Sequence, residues 1–252
     1  MTGPLCLVTG WARGTNALRP LADALGSDLA GEICAPDTLL AEGRAIQKAR
    51  PAACSPYASA LLARLEQQEQ PAIVAGWSMG GIIALEAATL APERLSGLAM
   101  IGSTSRFTAT DDYVCGQDPA LVRAMKLALQ RDPQRTLAEF LSLVYAPQTP
   151  LPEQIEANLR EALAIEPSSL QHGLDYLRTI DLRGRLAALP TSVGLFHGDA
   201  DQIIPHEASR FIAGEATSSA LQVFEGRGHA LPVAQTSELA EALRNWISRF
   251  ER

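Results

Sequence analysis

Apolar positions fall along the chain in two kinds of run. The first is short and continuous: residues 5–9, 72–75, 98–101, 193–196 and 221–224 read as strands buried on both faces, with a weaker one at 32–34. The second has helical spacing, at 18–25, 57–68, 82–90 and 237–250. Strands alternating with helices imply parallel βαβ units, and so a doubly wound, mostly parallel α/β sheet of about six strands. The alternation stops after the fourth strand. From 107 to 185 the pattern is helical throughout, with helices at 120–129, 134–145, 152–163 and 170–179. The expected division is therefore a core of residues 1–106 and 186–252, with a helical cap inserted at 107–185. Residues 36–55 have no clear period and are punctuated by Pro36, Pro51 and Pro56.

Composition narrows the function classes. Of 252 residues, 47% are hydrophobic and 19% charged, a folded rather than a disordered balance. The formal charge of −7 disfavours a general nucleic-acid binder, which needs clustered positive charge. Cys6, Cys34, Cys54 and Cys115 are scattered with no Cys-x-x-Cys pair, so neither a disulfide framework nor a zinc cluster is expected. The first residues carry no basic leader, and no apolar run approaches the ~18 residues of a membrane helix. The expectation is a cytoplasmic, reduced protein.

Chemistry enters at Gly76-Trp77-Ser78-Met79-Gly80, which fits the strand-to-helix elbow that exposes a serine nucleophile. Side chains two residues to either side of the serine would strike neighbouring backbone, so both places are glycine. A serine nucleophile needs a base, and the base needs an orienting carboxylate. Of the four histidines, His229 lies in a loop after the last strand, where a base reaches over the strand ends. His197 precedes every nearby acid, His206 follows Pro205 at the start of a surface helix, and His172 sits in the cap as a structural residue. Asp199 and Asp201 are both candidates for the acid. Asp201 is preferred, because Asp199 is placed to tie a turn. The amides of Met79 and Trp11 are the candidate oxyanion donors. No metal or organic cofactor is required.

The whole chain resembles α/β-hydrolase-fold serine esterases with a helical cap. More narrowly, it resembles the pimeloyl-acyl-carrier-protein methyl ester esterases of biotin synthesis. The resemblance is carried by Gly10-Trp11, the elbow, Ala91-Pro92-Glu93-Arg94, Ser103 to Phe107, Gln134 to Leu141, Gly173 to Arg183, and the Asp201 and His229 loops. It implies Ser78, Asp201 and His229 as a catalytic triad, Trp11 and Met79 as the oxyanion hole, and Trp77 and Phe140 as lining of the acyl channel beside Trp11 and Ser78. It also implies acyl carrier protein as partner, docked on cap arginines. Arg135 matches one such position, while Glu139 stands where a second arginine is expected. Arg123, Lys126, Arg131 and Arg135 are the basic residues that could form such a surface, and a solvated helix face is the competing reading. Thr9 replaces the common histidine before Gly10, Ala35-Pro36-Asp37-Thr38 replaces the usual glycine-rich loop after the second strand, and the family's N-terminal hairpin is not expected. Alternatives of the same fold are a general small-ester carboxylesterase, a thioesterase or a C–C hydrolase. A non-catalytic ligand-binding protein is the alternative of another class.

Overall fold

The computed structural model describes residues 3–26, 29, 31–49 and 53–251; Pro51 lies outside them. Six strands form one sheet: β1 (Leu5–Val8), β2 (Ile33–Cys34), β3 (Ala72–Trp77), β4 (Leu95–Ile101), β5 (Val193–Gly198) and β6 (Ser219–Phe224). Their order is β2-β1-β3-β4-β5-β6, and every neighbouring pair is parallel. The chain leaves β1 toward β2 and returns to β3 on the other side. The switch point, where open α/β sheets place ligands, therefore lies beyond the carboxyl ends of β1 and β3.

Strand alternation separates two cores. Leu5, Leu7, Ile73, Ala75 and Trp77 face one way and pack with α1 (Arg19–Leu25) and α11 (Thr236–Ile247). Cys6, Val8 and Val74 face the other way, toward α3 (Pro56–Glu66) and α4 (Met79–Leu90). Helix α4 is apolar on all sides and almost wholly buried, as a helix pressed between the sheet and its neighbours must be.

Residues 36–49, read from the sequence as lacking a period, form helix α2 (Pro36–Ala49). Its start carries a proline and Asp37 in the first turn, both favourable there. Its apolar stripe is narrow, confined mainly to Leu39, Leu40 and Ile46. Gly43 lies on that stripe because a Cβ there would stand 1.8 Å from the Pro56 carbonyl oxygen at the start of α3. A glycine at the contact point hides the helical period.

Between β4 and β5 run α5 (Pro119–Arg131), α6 (Pro133–Tyr145), α7 (Pro152–Leu163) and α8 (Pro167–Thr179). Helix α8 is tied to the core at three points. Trp11 Nε1 donates to the Leu170 carbonyl at 2.9 Å, Tyr57 Oη lies 3.0 Å from His172 Nδ1, and the Tyr176 hydroxyl donates to Glu86 Oε2 at 2.9 Å. Glu86 is buried on α4 and also accepts from the Ser55 amide and hydroxyl, so its charge is matched by three donors. The remaining helices are α9 (Glu207–Glu215) and the short α10 (Leu231–Ala234). Among the described residues, no helix is long and apolar enough to cross a membrane.

Candidate active site

Ser78 stands at the junction of β3 and α4 with φ 56° and ψ −122°, a conformation that side-chain-bearing residues seldom adopt. The tightness of the turn explains both glycines. A Cβ on Gly76 would stand 2.3 Å from the Gly80 oxygen, and one on Gly80 would stand 2.3 Å from the Val8 oxygen. The turn is pinned on either side: the Ser78 amide donates to Ile101 O at 2.9 Å, and the Ser103 hydroxyl donates to Ser78 O at 2.7 Å.

Gly10 passes close over the serine. A Cβ there would lie 3.1 Å from Ser78 Cβ and 3.7 Å from Oγ. The amide of the next residue, Trp11, thus belongs to the loop beside the serine. Met79 opens α4, so its amide is one of the first-turn donors that a helix leaves without an internal acceptor. These two amides are the candidate oxyanion donors named from the sequence.

The candidate acid and the candidate base come from the loops after β5 and β6. His229 Nδ1 lies 2.7 Å from Asp201 Oδ2, and both side chains are essentially inaccessible. They pack against Gly102 at the end of β4, where an added Cβ would lie 3.4 Å from His229 Nδ1 and 3.5 Å from Asp201 Oδ2. Asp201 Oδ1 accepts from the amides of Ile203 and Ile204 at 2.8 and 2.9 Å. Asp199, the other candidate, accepts from the Gly226 amide at 2.7 Å and ties the two loops together.

Burial by itself would raise the Asp201 carboxyl. Electrostatic attraction to His229, hydrogen bonds with His197 and His229, and attraction to His197 outweigh it and hold the group well below the usual carboxylate range. Asp181 is lowered to about 2, chiefly by its hydrogen bond with Arg183, which outweighs the opposing effect of burial, and then by its bond with Arg106. Both groups are depressed in the folded chain, so their stabilisation is present above the unfolded value near ~4 and is lost as pH falls through the folded values. His172 acts in the same direction in a higher window, below its unfolded value of about 6.5. Burial, then Arg44, lowers it, so the unfolded chain takes up its proton first. Thermal melts should therefore show Tm falling steeply below about pH 4, with a shallower acid slope in Asp181→Asn.

An apolar cavity of about 150 Å3 opens onto Ser78. Trp11 and Phe140 line it, with ring centroids 4.9 Å apart in an edge-to-face pair. Phe107, Val122, Met125, Leu143, Leu174 and Leu177 supply the cap side, and Gln202 and Ile203 close it beside the acid loop. Gln202 and Ile203 were not foreseen; their position just after Asp201 was the available signal.

Trp77, expected to line this channel, does not. Its ring is 1% exposed and points into the sheet's other face. Its Nε1 donates to the His229 carbonyl at 2.9 Å, and the Arg13 guanidinium lies 5.5 Å above the ring. Trp77 supports the histidine loop from behind.

The cap cations are unequally engaged. Lys126 Nζ lies 2.5 Å from Asp175 and Arg135 Nε 2.8 Å from Glu139, whereas Arg123 and Arg131 are exposed without an ion-pair partner among the described residues. His197 is buried, and His206 precedes α9.

The Alpha/beta hydrolase family matches residues 7–242. A pimeloyl-[acyl-carrier protein] methyl ester esterase from Xanthomonas oryzae pv. oryzae is 29% identical over 251 residues, covering 98% of this chain and 96% of the relative. An esterase of the same name from Klebsiella pneumoniae subsp. pneumoniae is 31% identical over 183 residues, covering 71% of this chain and 70% of the relative. Among solved structures, an esterase from Exiguobacterium antarcticum superposes with a TM-score of 0.83 at 21% identity, over 98% of this chain and 92% of its own. The chain belongs to the alpha/beta hydrolase family, and it is a hydrolase acting on ester bonds.

Proposed function

We propose that the chain hydrolyses the methyl ester of a pimeloyl group carried on acyl carrier protein, through a Ser78–His229–Asp201 triad and an acyl-enzyme. The observation that carries the triad is the His229–Asp201 contact of 2.7 Å, set beside a serine held at a strained elbow. His229 takes the proton as Ser78 Oγ attacks the ester carbonyl. The amides of Trp11 and Met79 receive the charge that develops on the carbonyl oxygen. Methanol leaves with the proton from His229, and water repeats the sequence on the acyl-enzyme. Asp201 fixes the tautomer and orientation of the imidazole throughout.

The substrate reading is supported by the names of the relatives and by the cavity. A volume of about 150 Å3 holds roughly a six-carbon ligand. No charged side chain lines it, so it suits the methylene run of a short acyl chain. Residues 107–185 act as the lid whose helices build that cavity. Of the four candidate cap cations, Arg123 and Arg131 have no ion-pair partner among the described residues, and they are the ones we assign to the carrier's acidic surface, ahead of Lys126 and Arg135. The compartment we propose is the cytoplasm, in keeping with four cysteines outside any disulfide.

The competing reading is a general carboxylesterase, favoured by the pairing of Lys126 and Arg135 within the cap. Hydrolysis of pimeloyl-carrier-protein methyl ester beside p-nitrophenyl butyrate separates the two. The carrier ester should show the higher kcat/KM, and Arg123→Glu with Arg131→Glu should raise KM for that substrate alone. Turnover of only the p-nitrophenyl ester keeps the triad and removes the carrier substrate.

A further inference from the structure

A second imidazole reaches the Asp201 carboxylate. His197 is the penultimate residue of β5, is completely buried, and takes no part in the mechanism above. Its Nε2 lies 2.8 Å from the Ile204 carbonyl oxygen and 3.2 Å from Asp201 Oδ2. Its Nδ1 lies 2.7 Å from the Ser209 hydroxyl on α9. A carbonyl oxygen only accepts, so Nε2 carries a hydrogen. In the neutral ring, Nδ1 then accepts from Ser209, so the Ile204 carbonyl sets the tautomer and the serine hydroxyl completes it. The Ile204 amide in turn donates to Asp201 Oδ1. Ile204 is thus held through its N–H by the carboxylate and through its carbonyl by His197, which closes a hydrogen-bonded ring around the acid loop.

We propose that His197 is a positioning residue for ester hydrolysis, holding the Asp201 loop in register and drawing negative charge from Asp201 Oδ2, so that it sets how firmly Asp201 holds the His229 imidazolium. The proposal rests on the triad reading given above. A buried carboxylate needs donors on both oxygens. Oδ1 has two backbone amides, while Oδ2 has His229 and the nearby N–H of His197. The titratable groups facing this carboxylate are those two histidines. With His197 removed, Oδ2 bears more unshared charge and attracts the His229 proton more strongly. On the acid limb less of the imidazole is then free to accept the serine proton, and the loosened acid loop lowers kcat at every pH.

The test uses p-nitrophenyl butyrate hydrolysis by His197→Leu, His197→Gln, Asp201→Asn and the His197→Leu/Asp201→Asn double variant, with near-UV circular dichroism checking each fold. His197→Leu should lose about tenfold in kcat with KM little changed. The acid limb of its kcat/KM profile should move up by about half a pH unit. The glutamine amide occupies the place of Nε2–H and should restore most of both. In the Asp201→Asn background, His197→Leu should cost less than about twofold, because its effect passes through the carboxylate. A folded His197→Leu with unchanged kcat and pH profile would falsify the proposal, as would an equal loss in both backgrounds, the mark of packing alone. Should His197→Leu not fold, Ser209→Ala keeps the ring and its Nε2–H but removes the partner that holds Nδ1; an unmoved acid limb there also overturns the proposal. Failure of the triad reading would show separately, as Ser78→Ala retaining activity.

Discussion

Ser78→Ala should leave the fold intact and lower kcat for any ester substrate by at least about four orders of magnitude. In the proposed mechanism the serine is the nucleophile, and the remaining parts (two amides, an imidazole and a pocket) would bind and polarise an ester without forming the acyl-enzyme. Fluorophosphonate labelling should disappear in the same variant. Stability should separate from activity in Ser78→Gly. The φ of 56° and ψ of −122° place a side-chain-bearing residue in a region costing ~1–3 kcal/mol. Glycine relieves that strain and loses ~0.5–1 kcal/mol through the flexibility of the unfolded chain. The net gain of about 1 kcal/mol corresponds to a Tm rise of about 2–4 °C in a chain of this size, with activity gone. Full activity in Ser78→Ala would sink the triad, whereas a lowered Tm in Ser78→Gly would show that the elbow geometry carries no strain.

The parts of this site legible in the sequence were those fixed by backbone geometry. Ser78 was readable because a strand-to-helix elbow admits only glycine two places to either side. His229 was readable because a base must sit in a loop beyond the last strand. Of the two acid candidates, Asp201 meets His229 and Asp199 meets the Gly226 amide. What failed to show was side-chain direction. Trp77 stands in β3 with Ile73 and Ala75 on a period of two, so its ring follows theirs toward α1 and α11 rather than up into the cap. That signal was present in the strand pattern; the resemblance to capped esterases overrode it. Helix α2 was hidden because a glycine occupies its contact position. The role of His197 depends on the path of the chain from 201 to 209, which folds back so that Ile204 and Ser209 meet the ring from opposite nitrogens. No local spacing encodes that return.

The second large effect is expected at Gly80, two residues past the nucleophile. Its added Cβ would stand 2.3 Å from Val8 O and 2.5 Å from Thr9 O, both backbone atoms at the end of β1. No side-chain rotation relieves such a contact; either α4 or β1 must move. Helix α4 is buried along all but its last turn, and β1 is locked between β2 and β3. Gly80→Ala should therefore cost more than about 4 kcal/mol, the range of overpacking against rigid backbone, and lower Tm by roughly 10 °C or more. Activity should fall further than stability alone explains, because the strand end that must shift leads directly into Gly10 and Trp11 beside the serine. Gly214→Ala on α9 is the matched control. Nothing lies within 4 Å of its added Cβ, so the usual helix preference for alanine should raise stability by ~0.5–1 kcal/mol with activity unchanged. Thermal melts and p-nitrophenyl butyrate kinetics on the pair separate the two origins. If Gly80→Ala folds and turns over like Gly214→Ala, then α4 and β1 do not approach as closely as the elbow requires, and the placement of both oxyanion donors falls with it.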